Sequence, residues 1–240
     1  MTDIDDTPQP TPPTNEIQTY ETFDSMNLRD NLLRGIYAYG FETPSLIQQK
    51  AIVPLGQGRD MLGQSQSGTG KTGTFVLGTL QRADPNINHV QIIVLESTRE
   101  MVRQTLGVYR ALGTWDGFDE KSCVPCMAEN SISENARELQ NAKVVVGTPG
   151  RIVTLLKKNI LNVQHIRSFV LDEADELLKL NRTESKTFYD DVKYIVNYLP
   201  VDCGIALFSA TVPLEIETLS KKILTNPVCI KIQTENLTLE

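Results

Sequence analysis

Short apolar runs alternate along this chain with segments of helical periodicity, and that alternation restricts the fold more than any other feature. The runs are "RDMLGQ" at 59–64, "VQIIVLES" at 90–97, "AKVVVGT" at 142–148, "RSFVLDEAD" at 167–175, "CGIALFSAT" at 203–211 and "PVCIKI" at 227–232. Each is aliphatic or β-branched and bounded by polar or glycine residues, as buried strands are. Between them, "KTGTFVLGTLQRA", "TREMVRQTLGVYRALG", "ISENARELQNA", "GRIVTLLKKN", "TFYDDVKYIVNYL" and "PLEIETLSKKIL" repeat their apolar residues at helical spacing. A further helix precedes the first run, where Leu28, Leu32, Leu33 and Ile36 fall at that spacing before Gly40. The pattern predicts an α/β fold, a mostly parallel sheet with helices on both faces. In such sheets ligands bind beyond the carboxyl ends of the strands, so chemistry is expected at the strand-to-helix turns.

The 240 residues suit one sizeable domain, and no internal repeat is visible. The start reads differently, with four prolines (Pro8, Pro10, Pro12, Pro13), several acids and almost no large aliphatic residues. Such a composition cannot bury enough apolar surface to order itself, so a disordered tail is expected over 1–22 and the domain over 23–240. The net charge of −7 also comes largely from this end: residues 1–24 carry six acids and no base, leaving 24 acidic against 23 basic residues. A globally basic surface is excluded as a source of affinity for polyanions, whereas a local site is not. No run approaches the roughly 18 apolar residues of a membrane span. A soluble monomer without a membrane partner is expected, cytoplasmic or else nuclear. Cys123 and Cys126 form a "CVPC" pair, but with no second pair and both histidines distant in sequence it reads as structural, not metal-binding.

"SQSGTGKT", residues 65–72, directly follows a predicted strand and opens a predicted helix. Gly68 and Gly70 permit backbone conformations that turn successive N–H groups toward an anion, and the helix N-terminus adds partial positive charge. Ser65, Gln66, Ser67 and Thr69 complete the loop. Lys71 suits the β- and γ-phosphates of ATP, and the Thr72 hydroxyl suits Mg²⁺. Ser65 stands where the P-loop pattern has its first glycine. The alternative is a plain connection. "VLDEAD" then places Asp172 and Glu173 at the end of a buried strand, where an unpaired carboxylate is costly. Asp172 suits a metal held through its water shell, and Glu173 suits activation of the water that attacks the γ-phosphate. The plainer reading is that Asp172, Glu173 and Asp175 complement a helix dipole.

Together these motifs resemble the first RecA-like domain of the DEAD-box RNA helicases, most of all the eukaryotic initiation factor 4A group, in order from Phe23 to Thr211. The resemblance implies a RecA-like P-loop domain that uses ATP and Mg²⁺ to remodel or locally unwind RNA, in translation initiation. "FDSMNLRDNLLRGIYAYGFETPSLIQQKAI" is similar to the group's adenine-reading segment, which implies that Phe41 stacks on adenine and Gln48 hydrogen-bonds its edge. "STREM" and "TPGR" are similar to RNA-contacting motifs, which implies contacts from Thr98, Arg99, Thr148, Gly150 and Arg151 to the RNA backbone without base reading. "SAT" implies that Ser209 and Thr211, with Asp175, couple the ATP site to strand separation. Read alone, each of these short segments is a capped turn, and Phe41 is a core aromatic.

Two departures from the family pattern bear on activity. Glu96 and Ser97 replace the usual residues before the T-R-E stretch, placing a carboxylate close to the expected RNA path, and Ala128–Glu129 replaces a glycine pair. Both are expected to weaken RNA affinity or its coupling to hydrolysis. "KLNRTESKTF" reads as an enlarged surface loop. No second RecA-like domain and no arginine-rich H-R-x-G-R motif is found, so ATP turnover by these residues alone is expected to be slow. The alternative function is a degenerate nucleotide-binding scaffold for translation or RNA-processing partners.

Overall fold

The structure, a computed structural model, describes residues 17–179 and 188–232. The seven strands among them are β1 (Met61–Gln64), β2 (Ile92–Leu95), β3 (Cys123–Cys126), β4 (Val144–Gly147), β5 (Ser168–Leu171), β6 (Gly204–Ser209) and β7 (Val228–Lys231). They form one sheet in the order β3-β4-β2-β5-β6-β1-β7, with every adjacent pair parallel. The four central strands β4, β2, β5 and β6 are buried along their whole length, which is why their sequences run apolar without alternation.

The helices are α1 (Asp30–Tyr39), α2 (Leu46–Gly56), α3 (Lys71–Arg82), α4 (Arg99–Gly113), α5 (Ile132–Glu138), α6 (Pro149–Lys157), α7 (Ala174–Leu177), α8 (Phe188–Val196) and α9 (Leu214–Ile223). Leu32, Ile47, Phe75 and Leu106 from α1 to α4 pack on Ile92, Val94, Val146 and Phe208, making one core. Ile152, Leu177, Val192 and Ile216 from α6 to α9 pack on Ile93, Leu95, Phe169 and Leu207 across the sheet, making the other. Successive strand residues thus serve opposite cores, as the pleat requires.

Burial outweighs local preference in two places. Pro54 lies inside α2, a placement that costs about 3 kcal/mol. Ile47, Ile52 and Leu55 of the same helix are buried, each contributing about 1.5–3 kcal/mol, and they carry the helix through it. The "CVPC" segment, which the strand pattern passes over, is β3. Pro125 is tolerated there because β3 is an edge strand with a single neighbour. Cys123 and Cys126 enter opposite cores, and burial pushes both thiols up to about 12.

Close backbone approach fixes α1 against α4. A Cβ at Gly35 would lie 2.1 Å from the Leu112 carbonyl oxygen. Residues 17–22, assigned above to the tail, are within the described residues: Ile17 and Tyr20 pack on the α1–α4 core, and Tyr20 N donates to the Gln49 carbonyl at 3.0 Å. Residues 1–16 of the expected tail, and residues 180–187 of the expected enlarged loop, lie outside the described residues. No helix among those described is long and apolar enough to cross a membrane.

Candidate functional site

β1, β6 and β5 are neighbours, so the turns that leave their carboxyl ends meet. The Ser65 amide donates to the Ser209 carbonyl at 3.0 Å, which anchors the 65–70 loop to the end of β6. Gly68 and Gly70 take φ of +79° and +96°, the left-handed region that favours glycine. Gly70 is needed for space as well, because a Cβ there would come within 2.9 Å of Ser45 Oγ and 3.0 Å of Gln48 Nε2.

Lys71 opens α3 and is buried. Its Nζ donates to the Ser65 carbonyl at 2.7 Å and to the Gln66 carbonyl at 3.1 Å, so the ammonium is held by its own loop. Thr69 Oγ1 donates to the Gln66 carbonyl at 2.8 Å and accepts from Ser65 Oγ at 2.8 Å. Serine at the first position of the motif therefore ties the loop together instead of disturbing it. Thr72 is half-buried beside Lys71, and Ser67 is exposed at the loop tip.

Asp172 directly follows β5, buried, with Oδ1 accepting the Glu173 amide at 2.9 Å. Burial pushes its carboxyl up to about 6, against the opposing pull of the Lys71 ammonium. Glu173 takes φ +45°, a left-handed conformation that costs a non-glycine residue on the order of 1 kcal/mol or more. That turn sends the chain into α7 and brings Asp175 to β6. There Asp175 Oδ2 accepts the Thr211 hydroxyl at 2.8 Å and the Thr211 amide at 3.2 Å. The Asp175 amide donates to Ser209 Oγ at 3.3 Å, and Ser209 Oγ donates to the Thr211 carbonyl at 2.6 Å. Burial opposes the Asp175 charge, but the bonds donated by Thr211 outweigh it and hold the carboxyl below its usual range. The three coupling candidates are thus one hydrogen-bonded unit.

Phe41 and Gln48 lie over the start of α3. A Cβ at Gly73 would come within 2.9 Å of Gln48 Nε2 and 3.1 Å of the Phe41 ring. Phe41 is half-buried, near-parallel to Phe23 at 6.2 Å and edge-on to Tyr39 at 4.8 Å. Gln48 closes a capping box on α2, its Oε1 accepting the Ser45 amide at 2.8 Å, which leaves its Nε2 directed to the Gly70 carbonyl at 3.5 Å.

A second constellation follows the ends of β2 and β4, of which β2 adjoins β5. Thr98 caps α4, accepting the Met101 amide at 3.3 Å, and exposed Arg99 follows it. Thr148 precedes α6, with Pro149 at its first position, and Gly150 and half-buried Arg151 come next. Arg151 Nη2 donates to the Ala128 and Asn130 carbonyls at 2.9 and 2.8 Å. The two sets of candidates are separate clusters joined where β2 meets β5.

Glu96 occupies that junction and corrects one expectation. Its side chain is fully buried rather than facing the Arg99 surface, and its Oε1 accepts the Thr105 hydroxyl at 2.6 Å. Burial, reinforced by the charge of Asp172, pushes the carboxyl up to about 9, so at neutral pH it is protonated and adds no negative charge to the surface. The strand pleat carries the signal that would have found this: Ile92 and Val94 face the α4 core, and Glu96 continues their parity. Glu129, by contrast, is exposed and pairs with Arg99 and Arg103, a partnership between a turn and a helix distant in the chain that no local pattern encodes.

Among the described residues no group of three or more His, Cys, Asp or Glu side chains is arranged to hold a metal ion. A site of one carboxylate and one hydroxyl suits a cation that keeps most of its own water.

The sequence model of the family described as DEAD/DEAH box helicase matches residues 45–219. Eukaryotic initiation factor 4A of Drosophila melanogaster is 43% identical over 224 residues, 93% of this chain and 53% of its own length. Eukaryotic initiation factor 4A-1 of Arabidopsis thaliana is 46% identical over 222 residues, 92% of this chain and 52% of its own length. A DEAD box protein from the hyperthermophile Methanococcus jannaschii has a similar crystal structure, with a TM-score of 0.79 at 35% identity over 90% of this chain and 57% of that one. S. cerevisiae Dbp5 bound to RNA and ADP BeF3 gives a TM-score of 0.78 at 36% identity, covering 89% of this chain and 52% of that one. The chain spans about half the length of the curated relatives it matches.

Proposed function

Because this chain belongs to the DEAD/DEAH box helicase family, we propose that it is the ATP-binding RecA-like domain of an ATP-dependent RNA helicase. The observation that carries the reading is the meeting of Lys71, Asp172 and the Asp175–Ser209–Thr211 unit at the ends of three adjacent strands. Lys71, once released from the Ser65 and Gln66 carbonyls, would neutralise the β- and γ-phosphates beside the amides of the 65–70 loop. A buried carboxylate whose ionisation is disfavoured fits a cation, so Asp172 and Thr72 would hold Mg²⁺, which when bound supplies charge stabilisation to the phosphoryl oxygens. Glu173 would take the proton of the attacking water. Phe41 would stack on adenine, and Gln48 would read its edge through Nε2 and the remaining lone pair of Oε1.

RNA would lie along β2 and β4, contacted through its backbone by Thr98, Arg99, Thr148, Gly150 and Arg151. Asp175, Ser209 and Thr211 would pass the state of the nucleotide to that face. A second RecA-like domain would complete both sites with further arginines, and the initiation-factor relatives favour a role in translation, in the cytoplasm. The alternative scaffold reading loses one support, since Glu96 is buried, and keeps Ala128 and Glu129.

The test is titration of the chain with a fluorescent ATP analogue and Mg²⁺. Lys71→Ala is expected to weaken binding at least about tenfold, the scale of a lost charge-assisted contact. Glu173→Gln is expected to leave binding unchanged and lower hydrolysis by at least about tenfold. Wild-type affinity in Lys71→Ala would contradict the assignment.

A further inference from the structure

The turn after β3 places an anion among the cations of the candidate RNA face. Glu129 Oε2 lies 3.6 Å from Arg99 Nη1, and Glu129 Oε1 accepts a hydrogen bond from Arg103 Nη2. Arg99 and Arg103 are four residues apart on α4, so their side chains share a face and reach the same carboxylate. From the other side, Arg151 of α6 grips the Ala128 and Asn130 carbonyls. Residues 128–130 therefore engage guanidinium groups from the two helices that start at the ends of β2 and β4. A guanidinium fork that fits carboxylate also fits phosphate.

We propose that Glu129 is an intramolecular competitor for RNA phosphate: it occupies Arg99 and Arg103 in the free protein and is displaced when RNA binds. The proposal rests on the RNA reading given above. It adds Arg103 to the phosphate-binding set and makes Glu129 the residue that tunes its affinity. Side-chain exposures of 54% for both arginines and 37% for Glu129 leave the pairs open to exchange. Exposed pairs are individually weak, so Glu129 lowers affinity without closing the face. Glu100 stands 4.0 Å from Arg103 on the exposed side and offers it a second, looser partner.

The experiment measures binding of a fluorescein-labelled oligouridylate to the chain, to Glu129→Gln, to Arg99→Ala/Arg103→Ala and to the triple variant, each checked by a thermal melt. At about 0.05 M salt, Glu129→Gln is expected to tighten binding about three- to tenfold. Its affinity should also fall more steeply with salt, by about one to two phosphate contacts, until the difference from wild type is under about twofold near 0.5 M. In the Arg99→Ala/Arg103→Ala background the same substitution should do nothing. Unchanged or weaker binding by Glu129→Gln overturns the proposal, and so does tightening that survives loss of both arginines, which would be a general charge effect. If Arg99→Ala/Arg103→Ala binds less well but Glu129→Gln is silent, the competitor is refuted and the RNA reading stands. No measurable binding by any of the four proteins refutes both.

Discussion

A carboxyl group buried without a full set of partners makes stability depend on pH. Glu96 has one partner, Thr105, while its Oε2 has none among the described residues, and its folded-state carboxyl titrates near 9. A carboxyl raised in this way favours the fold fully below its unfolded value and loses that contribution as pH rises toward the folded one. Wild type is therefore expected to lose stability between about pH 6.5 and 8.5, by up to about 1.4 kcal/mol per pH unit. Asp172 shifts in the same direction but to about 6, below that window. Glu96→Gln should flatten the slope and be the more stable protein at the alkaline end. Urea midpoints at the two pH values decide it, and parallel slopes would contradict a neutral Glu96. Residues whose roles follow from their own stretch of chain, such as Gly70 and Lys71, are legible in sequence because turn geometry and helix start are local. The inward turn of Glu96 and the arginine partners of Glu129 depend on elements distant in the chain.

Elements were legible where burial gave them a plain pattern. The central strands read directly as apolar runs because both faces are covered. β3 did not, since its four residues include a proline and two cysteines whose spacing draws attention to chemistry instead. α2 was hard to read for the opposite reason: Ile47, Ala51, Ile52 and Leu55 are buried, Val53 is partly so, and no wide polar face remains around Pro54. The contact between α1 and α4 gives a prediction at this scale. Gly35→Ala would drive a methyl group into the Leu112 carbonyl, and the overpacked pair should lose at least about 2 kcal/mol in urea unfolding. Gly107→Ala, on the same α4 but with nothing within 4 Å, should be neutral or stabilising by up to about 1 kcal/mol. Equal effects at the two glycines would show that helix propensity, not the close approach, governs position 35.

At the scale of the whole molecule, one sheet frames two clusters, with the 65–70 loop over β1 and β6 and the arginines over β2 and β4. The loop's resting state has a kinetic consequence. On the nucleotide reading proposed above, the Lys71 ammonium, latched to two carbonyls, must leave them before it can meet a phosphate. In rapid mixing with excess nucleotide, the observed capture rate should climb with concentration and then level off at the rate of unlatching. A rate that stays linear throughout would mean that unlatching is faster than capture at every concentration used.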